Sequence, residues 1–230
     1  MAYVFEPFPV TSLPIVGAEQ RFPVRRIFCV GRNYAAHARE MGKDPDRDPP
    51  FFFTKPADAV VQDGATIPYP PLTENFHFEA ELVLAIGKGG ADIAEGDALD
   101  HAYGYAVGND LTRRDLQLVA RDQGRPWDWG KAFDRSAVCG PIYPASSIGH
   151  PAEGEIRLTV NGAEKQKADL RDLIWSVPEI IAILSKSMRI EPGDLVYSGT
   201  PAGVGPLVKG DVCVVSIAGL GSVTTTIAAD

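Results

Sequence analysis

The chain has 230 residues, of which 45% are hydrophobic and 23% charged, and its formal net charge is −8 at pH 7. This length suits one globular domain, and the negative charge argues against nucleic-acid and anionic-membrane partners. No run approaches the roughly 20 apolar residues of a membrane helix, and the amino-terminal residues lack a signal-peptide pattern. The three cysteines have no paired spacing, so we expect a cytoplasmic protein without disulfides or a zinc site.

The first predicted elements are a strand at residues 26–31 and a short helix at 34–41, with Asn33 as the N-cap and Gly42 after the helix end. A polar, proline-rich loop follows this helix. Helix and loop together, residues 34–50, are expected to act as a lid over a site.

His37 and Glu40 lie three residues apart on that helix and therefore share a face. A carboxylate that holds an imidazole makes a general base able to take a proton from water. The alternative for this spacing is a solvated pair on an exposed helix. The zinc-protease motif His-Glu-x-x-His is excluded because the second histidine is absent.

The run Phe76–Ile86 is long, apolar and rich in strand formers, and it contains Glu79 and Glu81. Residues two apart on a strand point to the same face, so both carboxylates should point one way from a strand that is buried on both sides. Two like charges on a buried face raise each other's pKa unless a cation or a donor network lies against them. The pattern predicts a divalent metal ion, and pairing with arginines at a partly solvated sheet edge is the alternative.

A second buried strand, residues 103–110, ends in Asp110, which would supply a third carboxylate. Three oxygen ligands without cysteine suit Mg²⁺ or Mn²⁺ with positions left for water and substrate. A helix at 112–122, capped by Thr112, should follow, and residues 123–136 should be irregular.

Lys131 lies in that irregular segment, between aromatic residues. A surface lysine packed beside a tryptophan is one interpretation. A cation that stabilises a developing anion or enolate is the other.

A glycine-rich segment, Gly199–Pro206, follows a predicted strand but has no Gly-Lys-Ser/Thr sequence, which excludes a P-loop. Close approach of its backbone to a small anionic ligand, with Thr200 as a hydroxyl donor, is one interpretation, and a plain turn is the other. Further strands are predicted at 51–55, near Val60 and Ile67, and at 156–160, 195–198, 212–217 and 223–227, with short helical stretches at 94–101 and 178–188.

Five motifs occur in a fixed order along the chain. They are Gly31-Arg32-Asn33-Tyr34 with His37 and Glu40, Phe78-Glu79-Ala80-Glu81-Leu82, Asn109-Asp110-Leu111-Thr112-Arg113-Arg114-Asp115, Gly130-Lys131, and Gly199-Thr200-Pro201-Ala202-Gly203-Val204-Gly205. Over about residues 27–227 they resemble the fumarylacetoacetate hydrolase superfamily. Without the additional amino-terminal domain of eukaryotic fumarylacetoacetases, the chain looks like the compact branch of acylpyruvases and fumarylpyruvate hydrolases. Its segment 127–131 is most similar to the fumarylpyruvate hydrolases of gentisate degradation.

The resemblance implies a metal-dependent hydrolase that cleaves a carbon–carbon bond of a 2,4-dioxo acid, such as fumarylpyruvate, to pyruvate and a carboxylic acid. Glu40 would orient His37 to deprotonate the attacking water, and Lys131 would stabilise the negative charge that develops on the leaving pyruvate. The implied ligands of Mg²⁺ or Mn²⁺ are Glu79, Glu81 and Asp110. The implied substrate contacts are Arg32, Arg114, Gln117 and Thr200.

Other enzymes of the superfamily, an oxaloacetate decarboxylase or a hydroxy-dienedioate isomerase/decarboxylase, are alternatives because they share metal-stabilised enolate chemistry. A metal-stabilised binding protein without turnover is the alternative from another class. The implied fold is a β-dominated α+β domain, a mixed β-roll or distorted barrel with peripheral helices. It would span residues 1–230, with residues 1–24 packed on it as an extension, and assemble as a homodimer.

Overall fold

The structure is a computed structural model that describes residues 2–40 and 49–230. Strands dominate these residues, and most of the helices are short. The strands are β1 Ser12–Pro14, β2 Arg21–Pro23, β3 Arg26–Gly31, β4 Phe51–Lys55, β5 Val60–Val61, β6 Ala65–Ile67, β7 Phe76–Phe78, β8 Ala80–Ile86, β9 Ala102–Asp110, β10 Thr112–Arg113, β11 Ala137–Cys139, β12 Tyr143–Pro144, β13 Glu155–Val160, β14 Ala163–Asp169, β15 Asp194–Tyr197, β16 Gly205–Leu207, β17 Val212–Ile217 and β18 Gly221–Ile227. The helices are α1 Ala35–Glu40, α2 Arg114–Asp122, α3 Asp128–Lys131, α4 Ala145–Ile148 and α5 Val177–Ser187, with 3-10 helices at Ala57–Ala59, Glu95–His101 and Leu170–Asp172.

Two main sheets share the larger apolar core. The first has eight strands, in the order β4-β3-β15-β8-β9-β11-β5 with β12 paired to β9, and the second has five, in the order β14-β13-β17-β18-β6. Leu82 and Leu84 of the first sheet lie in one buried cluster with Leu158 and Val215 of the second. The predicted fold class, a β-dominated α+β roll, is confirmed, and the sheet curls into a half-barrel.

Strand β8 is buried on both faces, as its sequence predicts. Leu82 and Leu84 point into the larger core, whereas Val83 and Ala85 lie in a second apolar cluster with Tyr197. Every residue of β8 is buried. A charged side chain on this strand therefore requires partners, from the protein or from a ligand.

The prediction of one continuous strand over Phe76–Ile86 is wrong, because the strand is interrupted at Glu79. The residues before the break, β7, pair with β10 and β16 in a third sheet, while β8 stays in the eight-stranded sheet. At the break, the Asn109 side chain accepts the Glu79 N–H at 2.8 Å, and the Glu79 carbonyl accepts the Asp110 N–H at 2.8 Å. A side-chain amide replaces one ladder partner, so the backbone stays satisfied where the chain changes sheets.

Two predicted helix caps are wrong. Helix α1 begins at Ala35, and the Asn33 side chain donates to two backbone carbonyls of other segments instead of accepting a helix N–H. Helix α2 begins at Arg114, and the Thr112 hydroxyl donates to the Asp110 carbonyl at 3.0 Å. In both places tertiary or turn hydrogen bonds replace the local cap.

The segment 123–136, predicted to be irregular, contains the short helix α3, which carries Lys131. The end of the predicted first helix, at residues 41–42, and the part of the predicted lid at 41–48 lie outside the described residues. The remaining predicted strands and the helix at 178–188 are found close to their predicted bounds.

The amino-terminal residues pack unevenly. Strands β1 and β2 pair antiparallel and bury Leu13 and Phe22 in the second apolar cluster, whereas residues 2–10 are exposed. That residues 1–24 are an extension of a single domain over 1–230 stays a prediction. Among the described helices, none is long and apolar enough to cross a membrane.

Candidate metal centre and active site

Three carboxylates converge where β7, β8 and β9 meet. Glu79 lies at the break between β7 and β8, Glu81 follows the first residue of β8, and Asp110 ends β9. The antiparallel register pairs Glu81 with Gly108, which brings the end of β9 beside Glu79. One oxygen of each carboxylate lies within 4.8 Å of the other two, and all three residues are buried. The acidic cluster predicted from the sequence is therefore confirmed.

Two cationic side chains bind Glu79. Its Oε2 accepts a hydrogen bond from Lys131 Nζ at 2.7 Å, and its Oε1 accepts one from Arg114 Nη2. Lys131 Nζ also donates to Asp110 Oδ2 at 2.7 Å, and the lysine is almost fully buried. The interpretation of Lys131 as a surface lysine is therefore wrong, since its ammonium group lies inside the acidic cluster.

Lys55 is a further buried cation, which the sequence analysis did not identify. Its Nζ lies 2.8 Å from Asp110 Oδ1, outside hydrogen-bonding geometry, and donates to the carbonyls of Leu111 and Lys131 at 3.1 and 2.5 Å. The sequence did contain a signal. Lys55 is the last residue of the aromatic strand β4 and lies on the same face as Phe53. A lysine buried on such a face needs a partner for its charge.

The two glutamates have opposite electrostatic environments. Burial acts to raise the pKa of Glu79, but Lys131 and Arg114 outweigh burial and lower this pKa below its ordinary value. The pKa of Glu81 is raised well above its ordinary value by burial and by repulsion from Asp110 and Glu79. Of the two glutamates, Glu81 is therefore the one that needs an additional positive charge.

The acidic cluster fits a divalent metal ion. Its donors are carboxylate oxygens without sulfur or nitrogen, the ligand set that Mg²⁺ and Mn²⁺ prefer. Glu79 and Asp110 form ion pairs with Arg114, Lys131 and Lys55, whereas Glu81 accepts the backbone N–H of Gly199. A metal ion would supply the positive charge that this carboxylate lacks and so favour its ionised form.

His37 and Glu40 meet on α1 as their spacing predicts. His37 Nδ1 lies 3.0 Å from Glu40 Oε2, and the Glu40 carboxylate accepts the Gly203 N–H at 3.2 Å. His37 is buried, whereas the Glu40 side chain is 35% exposed. The histidine lines the same cavity as the acidic cluster, so the pair is not a solvated one on an exposed helix.

The glycine-rich loop after β15 binds two of these carboxylates through its backbone. The Gly199 N–H donates to Glu81 Oε2 at 2.7 Å, as the Gly203 N–H does to Glu40. Both glycines have a positive φ, +98° and +94°, and a Cβ at Gly203 would lie 2.3 Å from the Lys165 carbonyl oxygen. The predicted role of this backbone in binding a small anionic ligand is wrong for the Gly199 and Gly203 amides. These amides bind carboxylate side chains of the protein itself.

The four residues predicted to contact substrate border one cavity together with the acids. Arg114 Nη1 donates to Gln117 Oε1 at 2.5 Å, and the two residues are one turn apart on α2. Thr200 Oγ1 accepts a hydrogen bond from Gln166 Nε2 at 2.9 Å, which leaves the hydroxyl proton available for a ligand. Nine of the ten predicted site residues line this cavity, and the tenth, Glu40, reaches it through the histidine that it binds.

Gln166 is a supporting residue that sequence reasoning missed. It is buried on β14, a strand with mostly exposed or half-buried side chains. Its Oε1 accepts the Ala80 N–H at 2.9 Å, beside the acidic cluster, and its Nε2 binds Thr200 and the Pro201 carbonyl. No local pattern marks this role, because it depends on the five-stranded sheet meeting the eight-stranded one.

Comparison with known sequences identifies a family. The chain matches the profile described as fumarylacetoacetate (FAA) hydrolase C-terminal over residues 26–228. It is 48% identical over 189 residues to a fumarylpyruvate hydrolase of Ralstonia sp, a match that covers 81% of this chain and 98% of the relative. It is 38% identical over 200 residues to the mitochondrial oxaloacetate tautomerase of Homo sapiens, with 87% and 90% covered.

Solved structures agree with the sequence matches. The crystal structure of fumarylpyruvate hydrolase from Pseudomonas aeruginosa in complex with Mn²⁺ and pyruvate is similar with a TM-score of 0.96, at 54% identity and with 100% of both chains covered. The 2-hydroxyhepta-2,4-diene-1,7-dioate isomerase from Mycobacterium marinum is similar with a TM-score of 0.79, at 33% identity, with 94% of this chain and 77% of that chain covered. The chain belongs to the fumarylacetoacetate hydrolase family.

Proposed function

We propose that the protein is a metal-dependent hydrolase that cleaves a carbon–carbon bond of fumarylpyruvate or a similar acylpyruvate, giving pyruvate and a carboxylic acid. The observation that carries this proposal is the buried His37, which pairs with Glu40 and faces the acidic cluster across one cavity. A base for water next to a metal centre is what hydrolysis of a 2,4-dioxo acid requires. The names of the Ralstonia and Pseudomonas relatives support the same reaction.

In this proposal Glu79, Glu81 and Asp110 would hold Mg²⁺ or Mn²⁺, which would supply Lewis-acid chemistry for the 2-oxo acid end of the substrate. Glu40 accepts the Nδ1 proton of His37, which fixes the tautomer whose Nε2 can take a proton from water.

The remaining site residues bind and orient the substrate. Lys131 brings its ammonium group against the carbon skeleton, where negative charge develops as pyruvate leaves. Arg114 and Gln117 present a guanidinium and an amide from one face of α2, Thr200 presents its hydroxyl, and Arg32 lies at the cavity wall.

We also propose that the protein acts in the cytoplasm, as a homodimer, in aromatic catabolism through gentisate. The support for this role is the match to the Ralstonia fumarylpyruvate hydrolase over 98% of that protein. The lid proposed for residues 34–50 would carry the His37–Glu40 pair and could close once the substrate is bound.

Keto–enol conversion of oxaloacetate is a second candidate, favoured by relatives at 38% identity named oxaloacetate tautomerase. This reaction moves a proton between carbon and oxygen and does not require an activated water. It predicts conversion of oxaloacetate without release of pyruvate from acylpyruvates.

The test is a substrate panel in Mn²⁺ with fumarylpyruvate, acetylpyruvate and oxaloacetate, read by pyruvate release and by enol absorbance. We expect hydrolysis of the acylpyruvates, and in His37→Ala a loss of at least about 100-fold in kcat with the affinity for Mn²⁺ retained. The matched control is His150→Ala, an exposed histidine that contacts the Tyr105 hydroxyl and does not line the cavity. Oxaloacetate conversion alone, or full acylpyruvate hydrolysis by His37→Ala, would contradict the proposal.

A further inference from the structure

The site cavity continues outward into a second cavity of about 520 Å³. The lining residues common to both cavities are Arg32, Phe53, Arg121, Trp127 and Lys131. Residues 51–54 of β4 form one wall of the outer cavity, and residues 124–128, from the α2–α3 loop to the first residue of α3, form the other. A substrate whose 2-oxo acid end lies at the metal centre can therefore extend its acyl end into this outer cavity.

Helix α2 connects the inner cavity with the outer one. Arg114, Gln117 and Arg121 are spaced three and then four residues apart, so they lie on one face of the helix. Arg114 and Gln117 are buried next to the acidic cluster, whereas the Arg121 side chain is 29% exposed and borders both cavities. Seven residues of helix correspond to a rise of about 10 Å, which is comparable with the length of an extended seven-carbon diacid.

The outer cavity is positively charged, although the whole chain carries a net charge of −8. It is lined by Arg32, Arg121 and Arg125, and Asp128 is the acid among its lining residues. Lys131 also borders it, but its ammonium group pairs with Glu79 and Asp110 of the acidic cluster. Among the described residues, the Arg125 guanidinium has no ion-pair or hydrogen-bond partner. A concave surface with this excess of cations attracts an anionic group.

Arg121 is also available to a ligand. Its Nη2 lies 2.8 Å from Asp122 Oδ1, in a pair whose side chains are 29% and 65% exposed. Exposed pairs between neighbouring residues are weak because water and salt screen them. A substrate carboxylate in the cavity can therefore replace this acid as the partner of Arg121.

Aromatic side chains line the passage between the two cavities. The rings of Phe51 and Trp127 meet edge to face at 5.1 Å, and Phe53 lies 5.7 Å from the same tryptophan. These rings give the passage an apolar surface that suits the planar, unsaturated chain of an acyl group. The polar groups beyond them are the arginines.

We propose that the outer cavity selects substrates by charge, with Arg121 and Arg125 binding a carboxylate at the far end of the acyl group. A 2,4-dioxo diacid would then be preferred over a 2,4-dioxo acid with a neutral tail. This proposal rests on the proposed function, because it places the 2-oxo acid end of the substrate at the metal centre.

The kinetic test compares fumarylpyruvate with acetylpyruvate, which has no distal carboxylate, in Arg121→Gln, Arg125→Gln and the double variant. The ratio of the kcat/KM value for fumarylpyruvate to that for acetylpyruvate should fall about tenfold in each single variant, because each variant loses one charge-assisted hydrogen bond that only fumarylpyruvate can form. The matched control is Arg189→Gln, which removes an exposed arginine that pairs with Glu191 outside both cavities. An unchanged ratio in the double variant, or an equal loss for both substrates, would overturn the proposal.

A binding test separates this proposal from the proposed function. Calorimetry with the Mn²⁺-loaded protein compares 2-oxoheptanedioate with 2-oxoheptanoate, which have the same length but differ in the distal carboxylate and cannot undergo the hydrolysis. The wild type should bind the diacid more tightly, and the double variant should bind both alike. If acylpyruvates are not hydrolysed but this preference is found, the hydrolase assignment fails and the charge selection stands. If hydrolysis is found without any preference, the charge selection fails alone.

Discussion

Two buried ammonium groups approach Asp110 from opposite oxygens, Lys131 at Oδ2 and Lys55 at Oδ1. Lys131 also binds Glu79, so it fixes the distance between two of the three proposed metal ligands. Lys55 bonds the backbone carbonyls of Leu111 and Lys131, which ties the end of β9 to α3. The geometry of the carboxylates therefore depends on Lys55, which does not line the cavity, as well as on Lys131, which does.

Replacing Lys55 by Met should lower the free energy of unfolding by about 3 kcal/mol, because it removes one of the two cations beside the buried Asp110 carboxylate and the Lys55 donor to the Leu111 carbonyl. The affinity for Mn²⁺ should change as well, since Asp110 loses one of its two cations. Denaturant unfolding and a Mn²⁺ titration measure the two effects. The matched control is Lys167→Met, which removes an exposed lysine paired with Glu155 and should leave both quantities nearly unchanged. A Lys55→Met variant as stable as the wild type would contradict this account.

Sequence patterns predicted the acidic residues of the site better than the residues that hold them. The strand period predicts that Glu79 and Glu81 share a face, and helix spacing predicts that His37 meets Glu40. Lys55 and Gln166, by contrast, contact partners far away in the chain, such as Leu111. Such contacts are set by how the sheets pack, and no local spacing encodes them.

At the scale of elements, the loop after β15 positions two glutamates of the site, Glu81 and Glu40. Its amides bind Glu81 of the acidic cluster and Glu40 of the histidine pair, so one loop connects α1 with β8. The close approach requires glycine, since a Cβ at Gly203 would meet the Lys165 carbonyl. Gly203 thus allows its amide to reach Glu40 while its Cα packs against the Lys165 carbonyl.

Gly203→Ala should reduce kcat while leaving the affinity for Mn²⁺ close to that of the wild type. The added Cβ would shift the amide that Glu40 accepts, and the positive φ alone costs on the order of 1–2 kcal/mol for alanine. The matched control is Gly210→Ala, because Gly210 has a φ of +89° but no atom within 4 Å of the added Cβ. Steady-state kinetics and a Mn²⁺ titration of both variants measure the difference. Equal kcat losses in the two variants would mean that backbone strain, and not the contact with Glu40, causes the effect.

Sequence reasoning also located most elements but not how they are divided among sheets. The run 76–86 has a uniform strand pattern, yet its first residues join a three-stranded sheet because Asn109 replaces a ladder partner at Glu79. Likewise α3 carries Lys131 into the cluster from a segment rich in Gly, Pro and Trp that lacks helical periodicity. In both cases long-range contacts override the local pattern.

At the scale of the whole molecule, stability, protonation and metal binding are coupled through Glu81. Its pKa in the folded protein is raised above the unfolded value near 4.5. The stability that comes from its protonated form is therefore present below about pH 4.5 and is lost as the pH rises through the folded pKa. A metal ion binds the ionised carboxylate and reverses this loss, because its positive charge stabilises that form in the buried site.

Without metal, the free energy of unfolding should therefore decrease above pH 4.5 through the ionisation of Glu81, whereas with excess Mn²⁺ this decrease should vanish. His77 contributes the opposite slope, since burial and Arg114 lower its pKa to about 4 from 6.5 in the unfolded chain.

The comparison with Glu81→Gln isolates the glutamate, because the variant retains His77 and carries a permanently neutral side chain. Denaturant unfolding at several pH values, with chelator or with Mn²⁺ at 100 times its Kd, should give the wild type a metal stabilisation of about 2.7 kcal/mol at neutral pH. The variant should be more stable than the wild type without metal and should lose most of that stabilisation. A variant with the pH slope and Mn²⁺ response of the wild type would show that Glu81 is neither the strained carboxylate nor a metal ligand.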